Sequence, residues 1–330
     1  MRMPVIVRAG TAVLLAATGL LCARVPAVAA APYPSKIVRM IVPLGAGSTV
    51  DVVGRFIGEP LGVALGVSVV IENRPGGGGV PGTDQLVRSP KDGSTIGMTS
   101  SNHVINPSIY NAVPFDSIKD ITVISVLGTV PLVLVANPTK VPSKNLQELV
   151  ALAKSKPGEL NYGSAGNGGA LHLAAILLAS EAEIDIKHIP YRGQNQLASD
   201  LVGGHVDMGF LSVTVALELI RSGAVRPIGV STPARVPLLP DVPSLAEAGL
   251  PNYSFDAWIA MIGPAGMPKP IVDRLYSETK AILGTRQLQE SLAAQGITII
   301  GSDPETSLRF METELVKHEK LAKKAGAKSD

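Results

Sequence analysis

Two glycine-rich loops carry the residue pattern best suited to binding an anion. The first, residues 44–51, follows a β-branched run at 36–42 and precedes apolar residues at helical spacing. The second, residues 161–170, has the same order and leads into a helical run at 171–182. Such a loop brings unpaired N–H groups and the positive end of a helix dipole together. A tight turn with an N-cap would explain one loop, but the second copy favours a carboxylate clamp.

The candidate ligand-binding residues are those of the two loops and five residues elsewhere in the chain. The loop residues are Leu44, Gly45, Ala46, Gly47, Ser48, Thr49, Asp51, Ser164, Ala165, Gly166, Asn167 and Gly168. Ser100, Ser101 and Asn102 follow a predicted strand, where α/β sheets place ligands, although a plain loop fits them equally. Tyr191 and Asp207 are candidates for specificity, and Asp207 fits a structural turn equally.

Two of these loop residues carry a more specific expectation. Asp51 is expected to cap its helix more than to touch the ligand, because a carboxylate is favoured at a helix N-terminus. A bulky change such as Gly166→Val is expected to abolish binding while leaving the melting temperature of the empty protein nearly unchanged. Equal losses of binding and stability would indicate that the second loop is only structural.

Ser164 raises the alternative of nucleophilic catalysis. Residues 162–166 match the G-x-S-x-G elbow except at its first glycine, and they lie between a strand and a helix as that motif requires. The order Ser, Asp, His would be completed by His318 and one of Asp207, Asp241 and Asp256. We expect His318 to be a solvated surface residue, because Lys and Glu surround it. A serine hydrolase therefore stays an alternative to a binding protein.

Other chemistries need patterns that this sequence lacks. The first loop has no third glycine for a dinucleotide, and no lysine follows the second loop to reach phosphates. The five histidines (His103, His172, His188, His205 and His318) lack metal-ligand spacing. Aromatic residues are only 4% of the chain, which argues against stacking platforms for sugars or bases. We therefore expect binding without covalent chemistry, with no metal and no cofactor.

The first 29 residues are predicted to be a signal peptide. Arg2 and Arg8 form a basic start, 11–21 a short apolar core and 27–29 a cleavage signal, and cleavage after Ala30 is equally compatible. Removing this segment leaves 26 basic against 27 acidic residues, so the net charge becomes −1 and nothing indicates a nucleic-acid partner. Cys22, the only cysteine, leaves too. We predict an unanchored periplasmic protein, without disulfides, held by its hydrophobic cores.

Strands and helices alternate along the rest of the chain, which predicts an α/β fold with mostly parallel sheets. Buried strands are predicted at 36–42, 67–72, 94–99, 186–191, 206–211 and 226–231. Pro60 should kink or end the first helix. Ser143 is expected to cap a helix at 144–154, and Ser212 to open one that ends at Arg221.

Two apolar segments, 121–136 and 255–263, are predicted to cross between two lobes. Gly128 and Pro131 interrupt the first crossing, and the second contains the only tryptophan, Trp258. Lobe 1 would comprise residues 33–130 with part of 257–330, and lobe 2 residues 131–256. Two crossings define a hinge, so closure around a ligand is the expected motion.

From about Tyr33 onward the sequence resembles the Bug/TctC family, the periplasmic solute receptors of tripartite tricarboxylate transporters. The matching segments are YPSK (33–36), VPLGAGSTVD (42–51), ENRPG (72–76), PKDG (90–93), NP (106–107), YGSAGNG (162–168), PYRG (190–193), GGHVD (203–207) and LPDVPSLAEAG (239–249). The resemblance implies a two-lobed Venus-flytrap fold of the type II periplasmic-binding-protein class. It also implies that residues 44–51 and 164–168 clamp a carboxylate through backbone N–H groups and trapped water. The implied partners are a small carboxylate ligand and integral membrane transporter subunits, with the receptor itself a monomer.

The sequence departs from the family pattern around the pocket. Ala46, Ser48 and Thr49 stand where glycine and proline are more usual, Pro60 interrupts the first helix, and residues 194–196 replace a small, apolar turn. These changes affect specificity, so the ligand is not carried over from the family. A sensing adaptor that docks on a receptor kinase also stays open, because it needs the same closing cleft.

Overall fold

The computed structural model describes residues 1, 33–34 and 37–325; apart from Met1, the predicted signal peptide lies outside them. The described strands are β1 (Val38–Val42), β2 (Val69–Asn73), β3 (Thr95–Ser100), β4 (Ile121–Val130), β5 (Leu132–Ala136), β6 (Asn161–Ser164), β7 (Lys187–Pro190), β8 (Met208–Ser212), β9 (Arg226–Val230), β10 (Ala257–Pro264) and β11 (Thr298–Ile299). The described helices are α1 (Thr49–Leu65), α2 (Val80–Val87), α3 (Asn102–Ile109), α4 (Leu146–Ser155), α5 (Ala170–Ala182), α6 (Gln194–Gly203), α7 (Val213–Arg221), α8 (Lys269–Leu283), α9 (Arg286–Ala294) and α10 (Pro304–Ala325). None of these helices combines the length and the apolar character that crossing a membrane requires.

The strands form two sheets. The six-stranded sheet has the order β11-β4-β10-β3-β1-β2, and the five-stranded sheet has the order β7-β6-β8-β5-β9. Parallel pairs join β1 to β2 and β3 in the first sheet, and β6 to β7 and β8 in the second. The other pairs are antiparallel.

Both sheets are therefore mixed, whereas mostly parallel sheets were expected. The parallel pairs come from strand–helix–strand units, whose crossover helices return the chain to the same end of a sheet. The antiparallel pairs involve β4, β5 and β10, which lie beside the places where the chain passes between the sheets.

The chain passes from the six-stranded to the five-stranded sheet at Pro131 and returns between β9 and β10. The predicted interruption at Pro131 is confirmed, because β4 ends at Val130 and β5 begins at Leu132. Gly128 instead stays inside β4, where a Cβ atom would lie 2.5 Å from the carbonyl oxygen of Thr298. That the sheets move as separate lobes with the predicted boundaries stays a prediction.

Two predictions about helix ends need correction. Pro60 does not end α1, which continues to Leu65, because Leu61 and Leu65 are buried and their packing stabilises the last turn without the missing N–H. The N-cap of α4 is Asn145 instead of Ser143: its Oδ1 accepts a hydrogen bond of 2.9 Å from Glu148 N. Ser212 caps α7 as expected.

His318 on α10 is buried, so the prediction of a solvated histidine is wrong. Its ring is edge-on to Phe255, and its Nε2 lies 3.2 Å from Glu314 Oε2. Glu314 also accepts a hydrogen bond from Trp258 Nε1 at 3.3 Å. The Lys/Glu composition describes only the outer face of α10, whose inner face packs on α3, β4 and α5.

Candidate ligand-binding site

The N-terminal ends of five helices meet at one cavity of about 440 Å³. Residues at the starts of α1, α3, α5, α6 and α7 line it, together with the ends of β3, β4, β5 and β10. Each helix start contributes N–H groups without intrahelical partners and the positive end of a dipole. Among the described residues that line the cavity none is acidic, and Arg192 is the one basic residue. The cavity is therefore electrostatically suited to an anion.

The first loop contributes Leu44, Gly45, Ala46, Gly47, Ser48 and Thr49 to the cavity wall, as predicted from the sequence. Ser48 is the N-cap of α1, and its Oγ accepts a hydrogen bond from Asp51 N at 3.3 Å. Asn73 Nδ2 donates to the carbonyl oxygen of Leu44 at 3.1 Å. The loop is thus held from both sides before any ligand enters.

Asp51 does not line the cavity; its carboxylate shapes the first loop instead. The carboxylate is 2% exposed and accepts hydrogen bonds of 2.9 Å from Gly47 N and 2.9 Å from Asn73 Nδ2, and one of 3.0 Å from Arg55 Nε. Burial alone would raise the pKa of Asp51, but the hydrogen bonds from Arg55, Gly47 and Asn73 lower it overall. The charged side chain of Asp51 therefore stabilises the first loop.

Two hydroxyl groups on the cavity wall lack partners. Thr49 Oγ1 and Ser101 Oγ are buried, and neither has a hydrogen-bond partner among the described residues. Both residues line the cavity, and Ser101 is fully buried. Buried polar atoms in folded proteins are nearly always paired. A ligand or a water that carries acceptor and donor atoms would satisfy both hydroxyls.

Asn102 joins the two sides of the cavity. It lies at the start of α3, the helix that follows β3 of the six-stranded sheet. Its Oδ1 accepts a hydrogen bond of 3.0 Å from Ala170 N at the start of α5. The local N-cap of α5, Gly169, makes no side-chain hydrogen bond. The amide of Asn102 therefore caps a helix that belongs to the other sheet, and it fixes how the two helix starts face each other.

The second loop reaches the cavity by other residues than predicted. Of the predicted residues only Ala165 lines it, whereas Ser164, Gly166, Asn167 and Gly168 do not. Gly169, Ala170 and Leu171 take their place. The reason is the path of the backbone: φ is +115° at Gly166 and +71° at Gly168, and Gly168 turns against Ile109 of α3.

The effect expected of Gly166→Val also needs revision. A φ of +115° is a conformation that residues with a side chain rarely adopt, so Gly166→Val would strain the folded backbone whatever happens to binding. The variant cannot leave the melting temperature unchanged, and it does not separate binding from structure.

Ser164 makes hydrogen bonds that are structural in character. Its Oγ lies 2.8 Å from the carbonyl oxygen of Gly166 and 2.7 Å from His188 Nε2. The Ser164 hydroxyl has one proton and donates it in the hydrogen bond to the carbonyl oxygen of Gly166. In the hydrogen bond with His188, Ser164 Oγ must therefore accept and the Nε2–H of His188 must donate. His188 therefore does not act as a base toward Ser164 in this arrangement, and His318 contacts Glu314 and Phe255 instead. The structure does not assemble the hydrolase order that the sequence allowed.

A stacked histidine pair supports the second loop from behind. The rings of His172 and His188 lie 3.8 Å apart with an angle of 11° between their planes. Gly168 N donates to His172 Nδ1 at 2.8 Å. Burial, and for His172 also the neighbouring His188, lowers the pKa of His172 to about 3, and burial lowers that of His188 to about 4. Both rings are neutral at physiological pH, and the hydrogen bond that His172 Nδ1 accepts requires a neutral ring.

Tyr191 and Asp207, the predicted specificity residues, do not line the cavity. Asp207 precedes β8, at the opposite end of the strand from the cavity, and its Oδ2 accepts a hydrogen bond of 2.9 Å from Asn161 N. Burial and a hydrogen bond to Asp200 raise the pKa of Tyr191 to about 12. The turn role weighed for Asp207 fits the structure.

Sequence reasoning noted residues 194–196 as a departure that affects specificity, but it did not place the third polar wall of the cavity among the candidate binding residues. This wall comprises Arg192, Gly193, Gln194, Asn195 and Gln196 at the start of α6. The signal was present, because a strand followed by a glycine and a helix occurs here as it does in the two recognised loops. The apolar part of the wall was missed as well, including Val130, Leu132, Val215, Trp258 and Ile259.

Comparisons with known proteins agree on one family and one fold. The chain matches the model of the "Tripartite tricarboxylate transporter family receptor" over residues 53–327. BugT of Bordetella pertussis (strain Tohama I) is 33% identical over 303 residues, which cover 91% of this chain and 93% of BugT. The structure of R. palustris Rpa4515 with adipate has a TM-score of 0.85 and 31% identity, covering 90% of this chain and 100% of that one. MatC from Rhodopseudomonas palustris with bound malate has a TM-score of 0.79 and 27% identity, covering 88% and 100%. The predicted two-lobed, periplasmic-binding-protein-like α/β fold is confirmed by these likenesses.

Proposed function

The chain belongs to the tripartite tricarboxylate transporter receptor family, and on that premise we propose what its cavity binds and where the ligand goes. It is a solute receptor. Its solute is a small molecule with a carboxylate group, bound between two lobes in the periplasm after export by the predicted signal peptide. The closed receptor then delivers the solute to integral membrane subunits of a transporter.

The observation that carries this proposal is the convergence of five helix N-termini on a cavity without an acidic residue among its described lining. Each helix start favours a negative charge by roughly 0.3–1 kcal/mol even where solvent screens it. The unpaired hydroxyls of Thr49 and Ser101 add two donors at the same cavity. A cation would meet five positive dipole ends and no acidic side chain among the described lining residues, so an anion is the favoured occupant.

The carboxylate is proposed to sit between the first loop and the start of α5. Gly45 and Gly47 have no side chains to cover the backbone N–H groups of the first loop. On the opposite side, Ala165 and Ala170 each carry only a methyl group. Water fills the gaps between the carboxylate and N–H groups that it does not reach directly. Closure at the two crossings between the sheets would bring these walls together. The ligands in the structures of Rpa4515 and MatC, adipate and malate, are carboxylates and support this assignment.

Trp258 provides the readout for a binding experiment. It is the only tryptophan, it lines the cavity, and the residue is 1% exposed. Purified mature protein would be titrated with short mono- and dicarboxylates, with the corresponding amides and amines as controls. We expect the carboxylates to change the Trp258 emission and to raise the melting temperature, since a ligand at about 100 times its Kd adds about 2.7 kcal/mol. Binding of amines or neutral amides with no carboxylate binding would refute the proposal.

Delivery to a transporter needs a separate experiment. Uptake of the identified ligand would be measured in cells with and without the gene for this chain. Loss of uptake that the intact gene restores supports transport. Unchanged uptake with a lost transcriptional response to the ligand would indicate the sensing adaptor instead.

A further inference from the structure

We propose that residues 192–196, the α6 segment, form a second ligand subsite that presents only hydrogen-bond donors. This subsite would select solutes that carry, besides the carboxylate, a second acceptor group, with an anionic group favoured over a neutral one. The inference deepens the proposed function and rests on it.

The orientation of Gln194 carries the argument. Its Oε1 accepts a hydrogen bond of 2.8 Å from Ser212 N, at the end of β8. A backbone N–H can only donate, so the oxygen of the amide must face Ser212 and the NH2 group must face away from it. Gln194 lines the cavity. The part of this side chain left for a ligand is therefore a donor.

Gln196 repeats this arrangement more weakly. Its Oε1 accepts a hydrogen bond of 3.4 Å from Arg192 N, which again leaves the NH2 group as the uncommitted end. The backbone N–H groups of the first turn of α6 are also donors, and its N-cap, Gly193, has no side chain to satisfy them. In the α6 segment, each side-chain amide that a hydrogen bond orients therefore leaves its donor end free.

Arg192 adds a positive charge to these donors. Among the described residues its guanidinium has no hydrogen-bond or ion-pair partner, and it lines the cavity beside Gln194. A guanidinium pairs with a carboxylate through two parallel hydrogen bonds, so it prefers an anion over a neutral acceptor. No acidic residue among the described cavity lining competes for it.

The two polar regions lie on different walls. Thr49 and Ser101, with the unpaired hydroxyls, follow strands of the six-stranded sheet, whereas Gln194 is tied to β8 of the five-stranded sheet. Apolar residues such as Leu132 and Trp258 supply much of the remaining wall. The matching solute has an uncharged spacer with a carboxylate at one end and a second acceptor at the other.

The test uses Gln194→Glu, which retains an oxygen for Ser212 N and replaces only the donor by a negatively charged acceptor. Its ligands are three molecules of equal chain length: a linear dicarboxylate, its monoamide, and the monocarboxylate that lacks the second polar group. The control Gln287→Glu places the same charge change on exposed α9, away from the cavity. Affinities would be measured by calorimetry, and melting curves would verify folding.

We expect the wild type to bind the dicarboxylate more tightly than the monocarboxylate by about 10- to 100-fold, with the monoamide between them. Gln194→Glu should remove this preference, and its added negative charge should lower the affinity for the monocarboxylate less than the affinity for the dicarboxylate. Gln287→Glu should behave as the wild type. In a second variant, Arg192→Gln, the affinity for the dicarboxylate should fall to the affinity for the monoamide.

The failures are distinguishable. If the wild type binds the mono- and dicarboxylate equally and Gln194→Glu changes neither affinity, the second subsite is refuted and the carboxylate receptor stands. If no carboxylate binds to the wild type, the proposed function itself is refuted. If Gln194→Glu does not fold, an unchanged preference in Arg192→Gln refutes the subsite.

Discussion

Adding a side chain at Gly45 should block the ligand without disturbing the fold. Gly45 lines the cavity, a Cβ atom there meets no atom within 4 Å, and its φ lies outside the left-handed region. Gly45→Leu therefore puts four carbon atoms into open space beside the first loop. Such a change reduces the conformational entropy of the unfolded chain, and Gly→Ala at compatible positions stabilises proteins by about 0.4–1 kcal/mol.

The expected loss of affinity is large, because the added atoms stand where the carboxylate would meet the N–H groups of the first loop. Two lost hydrogen bonds to a charged group, at about 1.5–3 kcal/mol each, weaken binding by at least about 100-fold. Trp258 fluorescence and calorimetry would measure affinity, and urea denaturation of the empty protein would measure stability. We expect affinity to fall and the free energy of unfolding to stay within about 1 kcal/mol of the wild type.

Gly66→Ala is the matched control. It also has open space around the added Cβ atom, but it lies outside the cavity lining and its φ is +72°, so the variant should lose about 1–2 kcal/mol of stability without a change in binding. The pair separates blocked binding from backbone strain. Full affinity in a stable Gly45→Leu variant would refute the proposed place of the carboxylate.

Three further predictions concern the scaffold of the site. Asp51→Asn should lower the free energy of unfolding in urea by about 1.5–3 kcal/mol, because it removes the charge that holds the first loop; an unchanged urea midpoint would contradict this role. Asn102→Ala should cost about 0.5–1.5 kcal/mol in the same assay by leaving the start of α5 uncapped, and no loss would mean that water replaces the cap. His103, His172 and His188 have folded pKa values of about 4, 3 and 4, below the ordinary value near 6.5, so the unfolded chain binds more protons. Stability should be full above pH 6.5 and fall as the pH drops toward 4, by up to about 1.4 kcal/mol per pH unit for each histidine; a flat urea midpoint between pH 6.5 and 5 would refute this.

The first loop was predictable because its chemistry is local. A strand, small residues and a helix start follow one another within fifteen positions, and residues 44–49 line the cavity as expected. The second loop was predicted in type but misplaced by a few residues. Its glycines at 166 and 168 turn the backbone by positive φ angles, and the sequence does not show which way such a turn points.

Burial was the property hardest to predict from the sequence. His318 stands among Lys and Glu residues in the sequence, yet it is fully enclosed, because α10 packs on elements from both sheets. Asp207 was a candidate for specificity in the sequence, and its place at the far end of β8 became clear only from the pairing with Asn161.

The sequence by itself determined the alternation of strands and helices, the glycine loops, the break at Pro131 and the family. These features depend on residues close together in the chain, or on ordered motifs that a family shares. Only the tertiary structure decided which helix starts converge, that Asn102 caps a helix of the other sheet, and that Arg192 and Gln194 complete the cavity wall. The physical reason is that the cavity brings together residues as far apart in the chain as Leu44 and Ile259, and their geometry depends on how two sheets pack, which no local pattern encodes.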